Sequence, residues 1–278
     1  MTTVEFITQL FCRIDDQMKA VPKDPRANLH PSELITLAVL YALKGKGQRA
    51  FYRWLVRDHL PLFPRLPERT LFFRLIAVHR EWADRFLAEP TLPGISDSLG
   101  VEMIHPRREG RSPKQIGRKG NTQRVPDGRW IVGVKFCPVI NSRGQIVDWD
   151  IVDWDAEGAN VHDSLFQDRM LALYESGERG MGLYVDSGFH KSPGRGGDRA
   201  NLKVCQRGGC NLRMLVETLF SQLTGVMGLK KIGERAWASV EARLGFVAAA
   251  YNLLISWGGR LVTDESGYVR LGIAEFAL

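Results

Sequence analysis

Residues 129–155 read RWIVGVKFCPVINSRGQIVDWDIVDWD. Two runs rich in Val and Ile flank a turn that holds Gly144, the pattern of a β-hairpin. The tetrapeptide VDWD occurs twice, at 147–150 and 152–155. Its acids fall at Asp148, Asp150, Asp153 and Asp155, so their parity flips midway. Strict alternation fails, which predicts a bulge or a strand end there and places these acids on an exposed face.

Elements follow on both sides of the hairpin. Upstream, LPGISDSLG (92–100) reads as a short strand. Downstream, NVHDSLFQDRMLALYES (160–176) has a helical apolar side, with His162 and Asp163 at its start. GLYVDSGFH (182–190) is an apolar run that ends in an acid. NLKVCQR (201–207) is another short strand, and NLRMLVETLFSQLTGVMGL (211–229) carries a clean helical stripe. RAWASVEARLGFVAAAYNLLISW (235–257) is the last strong helix, and the tail from Leu261 is weakly patterned. The order from residue 91 is therefore strand, hairpin, helix, strand, strand, helix. That predicts an α/β fold with a mixed sheet.

Residues 1–90 read as four helices. Thr2-x-x-Glu5 suits a capping box, Pro31 a first helical turn and Gly45 a stop. QRAFYRWLVRDHL (48–60) is the third helix. PERTLFFRLIAVHREWADRFLAEP (67–90) is the fourth, with Arg69, Arg74, Arg80 and Arg85 along it. The segment fits a helical DNA-binding or dimerisation domain (1–90), ahead of a catalytic domain (91–260) and a tail (261–278).

The chain has 278 residues and a net charge of +7, enough for a sizeable core and a balance that suits nucleic acid, an anionic surface or an acidic partner. The cations concentrate at Arg107, Arg108, Arg111, Lys114, Arg118, Lys119, Arg124 and Arg129, against Glu109 and Asp127 alone. Such a run is a solvated loop or a phosphate-contacting surface. Trp130 follows it and, like Trp149, Trp154 and Trp237, could stack on a base or simply pack. The start lacks the basic region of a secretory signal. The longest apolar stretch, 244–257, is too short to span a bilayer. Cys12, Cys137, Cys205 and Cys210 form no CxxC pair and read as reduced thiols of a cytosolic protein.

Three acids have addresses that can converge: Asp97 in the first strand, Asp186 at the end of the fourth, and Glu217 near the start of the following helix. Site residues of α/β folds gather at strand ends. Clustered carboxylates repel by roughly 1 to 4 kcal/mol per pair at 4 Å, so a cluster implies cations, and oxygen ligands select Mg²⁺ or Mn²⁺. Each acid also has an ordinary use. Asp97 could cap a turn with Ser98, Asp186 could start a turn, and Glu217 could pair with Arg213 at i−4. Glu102 and Glu157 are the spare carboxylates.

This half of the chain resembles the DDE transposases of bacterial insertion sequences, whose catalytic fold is ribonuclease H-like. The likeness rests on SDS (96–98), VINSRGQIV (139–147), ANVHDS (159–164), YVDSGF (184–189) and NLRMLVETLF (211–220), and covers roughly 91–255. It implies that Asp97, Asp186 and Glu217 form a triad holding two Mg²⁺ ions, with Mn²⁺ able to substitute. Arg213 becomes the arginine of the family's Tyr-x2-Arg-x3-Glu-x6-Lys signature. Cys210 and Thr224 stand where that signature has Tyr and Lys, and Lys230 and Lys231 are the nearest lysines. The resemblance further implies cleavage at transposon ends and transfer of the strand to target DNA. The partners are double-stranded DNA (inverted repeats and target) and a second copy of the chain, with no membrane, in the bacterial cytoplasm at the nucleoid. Two other outcomes are a decayed DNA-binding relative and a nuclease of the same fold that cuts without joining.

Overall fold

In the computed structural model, the described residues are 1–108, 122–124, 130–152, 163–167, 170, 181–190, 202–204, 213–258, 262–263, 269–270 and 276. Helix α1 (Thr3–Met18) begins with the expected capping box. The Glu5 amide donates to Thr2 Oγ1 at 3.2 Å and the Thr2 amide to Glu5 Oε2 at 2.7 Å. Helix α2 (Pro31–Lys44) has Pro at its first position and stops at Gly45, whose φ of 62° is left-handed. Only a residue without Cβ takes that conformation freely. Helix α3 (Gln48–Asp58) and helix α4 (Arg69–Val78) follow. The segment expected as one helix from 67 to 90 breaks at His79 (φ −100°, ψ 30°), and Arg80–Phe86 continues as 3-10 turns. The break lets Ala83 and Phe86 turn inward to the core, a tertiary demand that outweighs helical propensity.

The sheet comprises β1 (Gly94–Ser96), β2 (Leu99–Ile104), β3 (Thr122–Arg124), β4 (Trp130–Ile140), β5 (Ile146–Val152), β6 (Leu183–Val185) and β7 (Leu202–Val204). Strand β4 pairs antiparallel with β1 and β2 along one edge and with β3 and β5 along the other. β1, β6 and β7 are parallel neighbours. β1 and β2 keep one register on β4: Ile95 faces Ile140, Ser96 faces Val139 and Leu99 faces Phe136. They are one line broken at Asp97 and Ser98. That register sets Asp97 opposite Pro138, and proline has no N–H for the ladder. The Pro138 carbonyl is taken instead by the Ser96 hydroxyl at 2.9 Å. The break is thus written in β4.

In β5 the register shifts between Val139 and Ile140, which leaves Val147 as the bulge, and the strand ends at Val152. Asp148 is not on an exposed face. It is buried, and its Oδ1 accepts from the Trp149 amide at 2.8 Å. The bulge re-aims the first VDWD copy. The second copy and most of the expected helix 160–176 lie outside the described residues. Of that helix, Asp163–Phe166 forms a 3-10 turn.

Helix α5 (Arg213–Gly225) and helix α6 (Trp237–Trp257) complete the set, and β8 (Val262–Thr263) pairs with β9 (Val269–Arg270). α6 is longer than its apolar stretch suggested. By length and composition it could cross a membrane, yet 83% of its most apolar window is buried within the protein. It is the core helix. Leu10, Leu37 and Phe72 from the N-terminal helices join Val134, Phe136 and Ile140 of β4 and Leu219 and Leu254 in one cluster, continuous across residue 90. The alternate residues Cys137 and Val139 face a second cluster with Phe166, Leu183, Val185 and Phe189. Side chains of this size each contribute about 1.5–3 kcal/mol on full burial, so the sheet is fixed from both faces and its strand ends are free to carry polar groups.

Candidate active site

The pairings Gly94–Leu183 and Ile95–Tyr184 join β1 to β6 in parallel. Continued two residues, that register brings Asp97 abreast of Asp186, on the same face and on strands about 4.8 Å apart. Both acids sit just past the last paired residue of their strands. The strand break that Pro138 imposes is what frees Asp97 from the ladder.

The two carboxylates differ in environment. Asp97 Oδ1 accepts from the Ser98 amide at 2.7 Å. Burial pushes its carboxyl above the ordinary value; the Ser98 amide and Arg213 pull it down, while the charges of Asp163 and Asp186 push it further up. Asp186 is half-exposed and caps the 3-10 turn Ser187–Phe189. Its Oδ1 accepts from the Gly188 amide at 3.1 Å and the Ser187 hydroxyl at 2.9 Å. The Gly188 amide first, then Ser187, hold this carboxyl below its ordinary value, with Arg213 adding to the effect. The turn-starting use of Asp186 and its place beside Asp97 are therefore both realised.

Glu217 lies one turn into α5, its side chain 63% exposed, with Oε1 3.4 Å from Arg213 Nε. Arg213 Nη2 stands 3.9 Å from Asp186 Oδ2. Arg213 thus links Asp186 to Glu217 and places its positive charge among the acids. Among the described residues, no three His, Cys, Asp or Glu side chains are gathered closely enough to hold a metal ion. Asp97 and Asp186 suit a shared hard cation by donor type and by register. Glu217 is turned to Arg213 instead.

Sequence reasoning passed over one acid. Asp163, read as a helix start, lies near enough to perturb Asp97. It forms an ion pair with Lys135 of β4 at 2.6 Å, both side chains largely buried. A Cβ on Gly188 would come within 3.3 Å of Asp163 Oδ2, so the turn after Asp186 rests against it. The signal was the HD pair inside ANVHDS, which local reading explains equally well as a cap. The spare acid Glu102 is elsewhere: it lies five residues along the strand line from Asp97, roughly 17 Å, and pairs with Lys231. Glu157 lies outside the described residues.

Of the expected DNA contacts, Arg107 and Arg108 are exposed on a 3-10 turn after β2, and Lys230 and Lys231 are exposed beside β2. Arg111, Lys114, Arg118 and Lys119 lie outside the described residues. Thr224 spends its hydroxyl on the Phe220 carbonyl at 2.7 Å, and Cys210 lies outside the described residues. Trp130 is 54% exposed, while Trp149 and Trp237 pack on the core and Trp154 lies outside the described residues. Cys12 and Cys137 are free thiols. No family model matches the chain, and neither curated proteins nor solved structures gave a match.

Proposed function

We propose that this chain is a metal-dependent DNA transposase of the DDE type, with a ribonuclease H-like catalytic half. One observation carries the reading: Asp97 and Asp186 stand abreast at the ends of adjacent parallel strands. The strand order β5–β4–β1–β6–β7, with β4 alone running against the others, supports the ribonuclease H-like reading. Asp97 and Asp186 would hold Mg²⁺, or Mn²⁺ in its place, and the ion would supply charge neutralisation and Lewis-acid activation at a phosphodiester. A second ion requires Glu217 to leave Arg213. Arg213, released from Glu217, would hold a phosphate oxygen near Asp186, and Arg107 and Arg108 would extend the positive surface. The substrates are double-stranded transposon ends and target DNA. Water cleaves the phosphodiester at the transposon end and frees a 3′-OH, which then attacks a target phosphodiester and displaces the target strand's own 3′-oxygen as a hydroxyl. Pairing of two ends favours a homodimer at the bacterial nucleoid.

One observation favours a second reading, a transposase-derived DNA-binding protein that no longer cleaves: Glu217 is solvent-facing and held by Arg213, apart from the two aspartates. Labelled duplex carrying the inverted repeats that flank the coding region separates the two. Nicking at the repeat tip in Mg²⁺ or Mn²⁺, abolished by chelator and by Asp186→Asn, is the expected result. Binding without cleavage in either metal supports the second reading. Cleavage with no joined product points to a nuclease of the same fold.

A further inference from the structure

The arginines of the helical half are not spread evenly. A groove of about 510 Å³ opens between α3 and α4, with Ser239 at the start of α6 also lining it. Arg49, Arg69 and Arg74 line it, with the neutral hydrogen-bonding side chains Gln48, Thr70 and Ser239. No acid lines it. Among the described residues none of the three arginines forms a salt bridge, and the one carboxylate that feels their charge is Glu68 beside Arg69. The acids nearest in sequence are already engaged. Glu68 accepts the amides of Thr70 and Leu71 at 3.0 and 3.1 Å, and Asp58 takes Arg57 through two contacts of 2.7 Å. Arg53 lies one helical turn past Arg49, about 6 Å along α3, and lines the neighbouring hollow with Trp54. Lys46 adds an exposed cation at the α2–α3 turn.

Three guanidinium groups line one groove without a salt bridge to neutralise them. Nothing in the core requires them, since α3 and α4 bury Phe51, Leu55, Phe72 and Ile76 away from the groove, and Phe73 closes its floor. The arrangement is explained by a polyanion that arrives from outside and meets planar donors matched to phosphate oxygens. Arg53 and Lys46 carry the positive surface beyond the groove, an extent that suits a polymer backbone better than a single small anion.

We infer that the α3–α4 groove seats the phosphate backbone of duplex DNA through Arg49, Arg69 and Arg74. The inference deepens the transposase reading by placing DNA on the helical half. It rests on that reading for the choice of DNA and is independent of cleavage. The neutral side chains offer no array for reading bases, so the contact is to backbone and not to sequence.

The test is fluorescence anisotropy of the full chain with a 30-base-pair duplex, titrated from 50 to 300 mM KCl. Four proteins are compared: wild type, Arg49→Gln/Arg69→Gln/Arg74→Gln, the same triple change to Lys, and a control, Lys19→Gln/Lys23→Gln/Arg26→Gln. The control carries the same charge change on the α1 end and the α1–α2 loop. The Gln triple is expected to flatten the log–log salt slope by about 2 to 3, at about 0.9 per phosphate lost, and to weaken binding roughly a hundredfold at 100 mM KCl. The Lys triple and the control are expected to keep the slope, and far-UV spectra to stay superimposable. An unchanged slope in the Gln triple overturns the groove while leaving DNA binding by the chain intact. An equal loss in the control also overturns it, as a general charge effect. No duplex binding by wild type at 50 mM KCl sinks both this inference and the transposase reading. Stronger binding of single-stranded RNA than of duplex, lost in the Gln triple, replaces the proposed ligand.

Discussion

Asn252 is the seam between the helical half and the sheet. It lies deep in α6, buried, and its amide makes three bonds across the fold. Nδ2 donates to the Phe86 carbonyl at 2.9 Å and the Ile146 carbonyl at 2.7 Å, while Oδ1 accepts the Ile146 amide at 2.8 Å. Asn252→Leu keeps the branched shape and removes every one of these. It leaves the Phe86 carbonyl and the Ile146 amide without this partner, each costing about 1–3 kcal/mol when buried, while the Ile146 carbonyl keeps the Ala88 amide at 2.9 Å. The total is on the order of 2–6 kcal/mol. For a chain of this size, Tm falls roughly 2–4 °C per kcal/mol, so a drop of about 4 °C at the low end and about 24 °C at the high end is expected. Because one core runs across residue 90, the loss should appear as one cooperative transition at lower temperature. Differential scanning calorimetry of the full chain reads both. A Tm within 2 °C of wild type, or a split into two transitions with only the later one shifted, would refute the reasoning.

Other outcomes follow from single contacts. Gly133→Val should abolish soluble folding, since a Cβ there would stand 1.8 Å from the Val101 carbonyl oxygen on β2; yield and far-UV circular dichroism read it. Lys135→Met should cost about 3 kcal/mol by stranding the largely buried Asp163, and adding Asp163→Asn should restore most of it, as denaturant titrations of the double-mutant cycle can decide. Arg213→Gln removes a cation that stands 3.9 Å from Asp186. Mn²⁺ affinity by isothermal calorimetry should therefore rise by roughly tenfold, in line with about 1–4 kcal/mol for such a charge pair.

Much of this architecture was legible because local and tertiary demands agree. The Thr2–Glu5 box, Gly45 and the Val- and Ile-rich hairpin each carry a local cause that the fold keeps. The acid closing LYVD could be read because an apolar run buried from both faces leaves a carboxylate only its end to occupy. The features that escaped arise between distant segments. His79 breaks a helical pattern because Phe86 must reach the core. Asp148 turns inward because Val147 is an extra residue in the pairing of β5 with β4. Pro138 acts on Asp97 from 41 positions away, a register that spacing alone does not reveal. Asp163 joins the site only because the turn after β6 packs against it. Arg49, Arg69 and Arg74 look like ordinary surface charge until two helices bring them to one groove.

The most direct test is Mn²⁺ binding itself, measured by electron paramagnetic resonance titration of wild type, Asp97→Asn, Asp186→Asn and Glu102→Gln without DNA. If Asp97 and Asp186 share a cation, wild type and Glu102→Gln bind Mn²⁺ alike, and each aspartate variant binds at least tenfold more weakly. Equal binding in all four proteins, or none in wild type at millimolar Mn²⁺, would contradict the account.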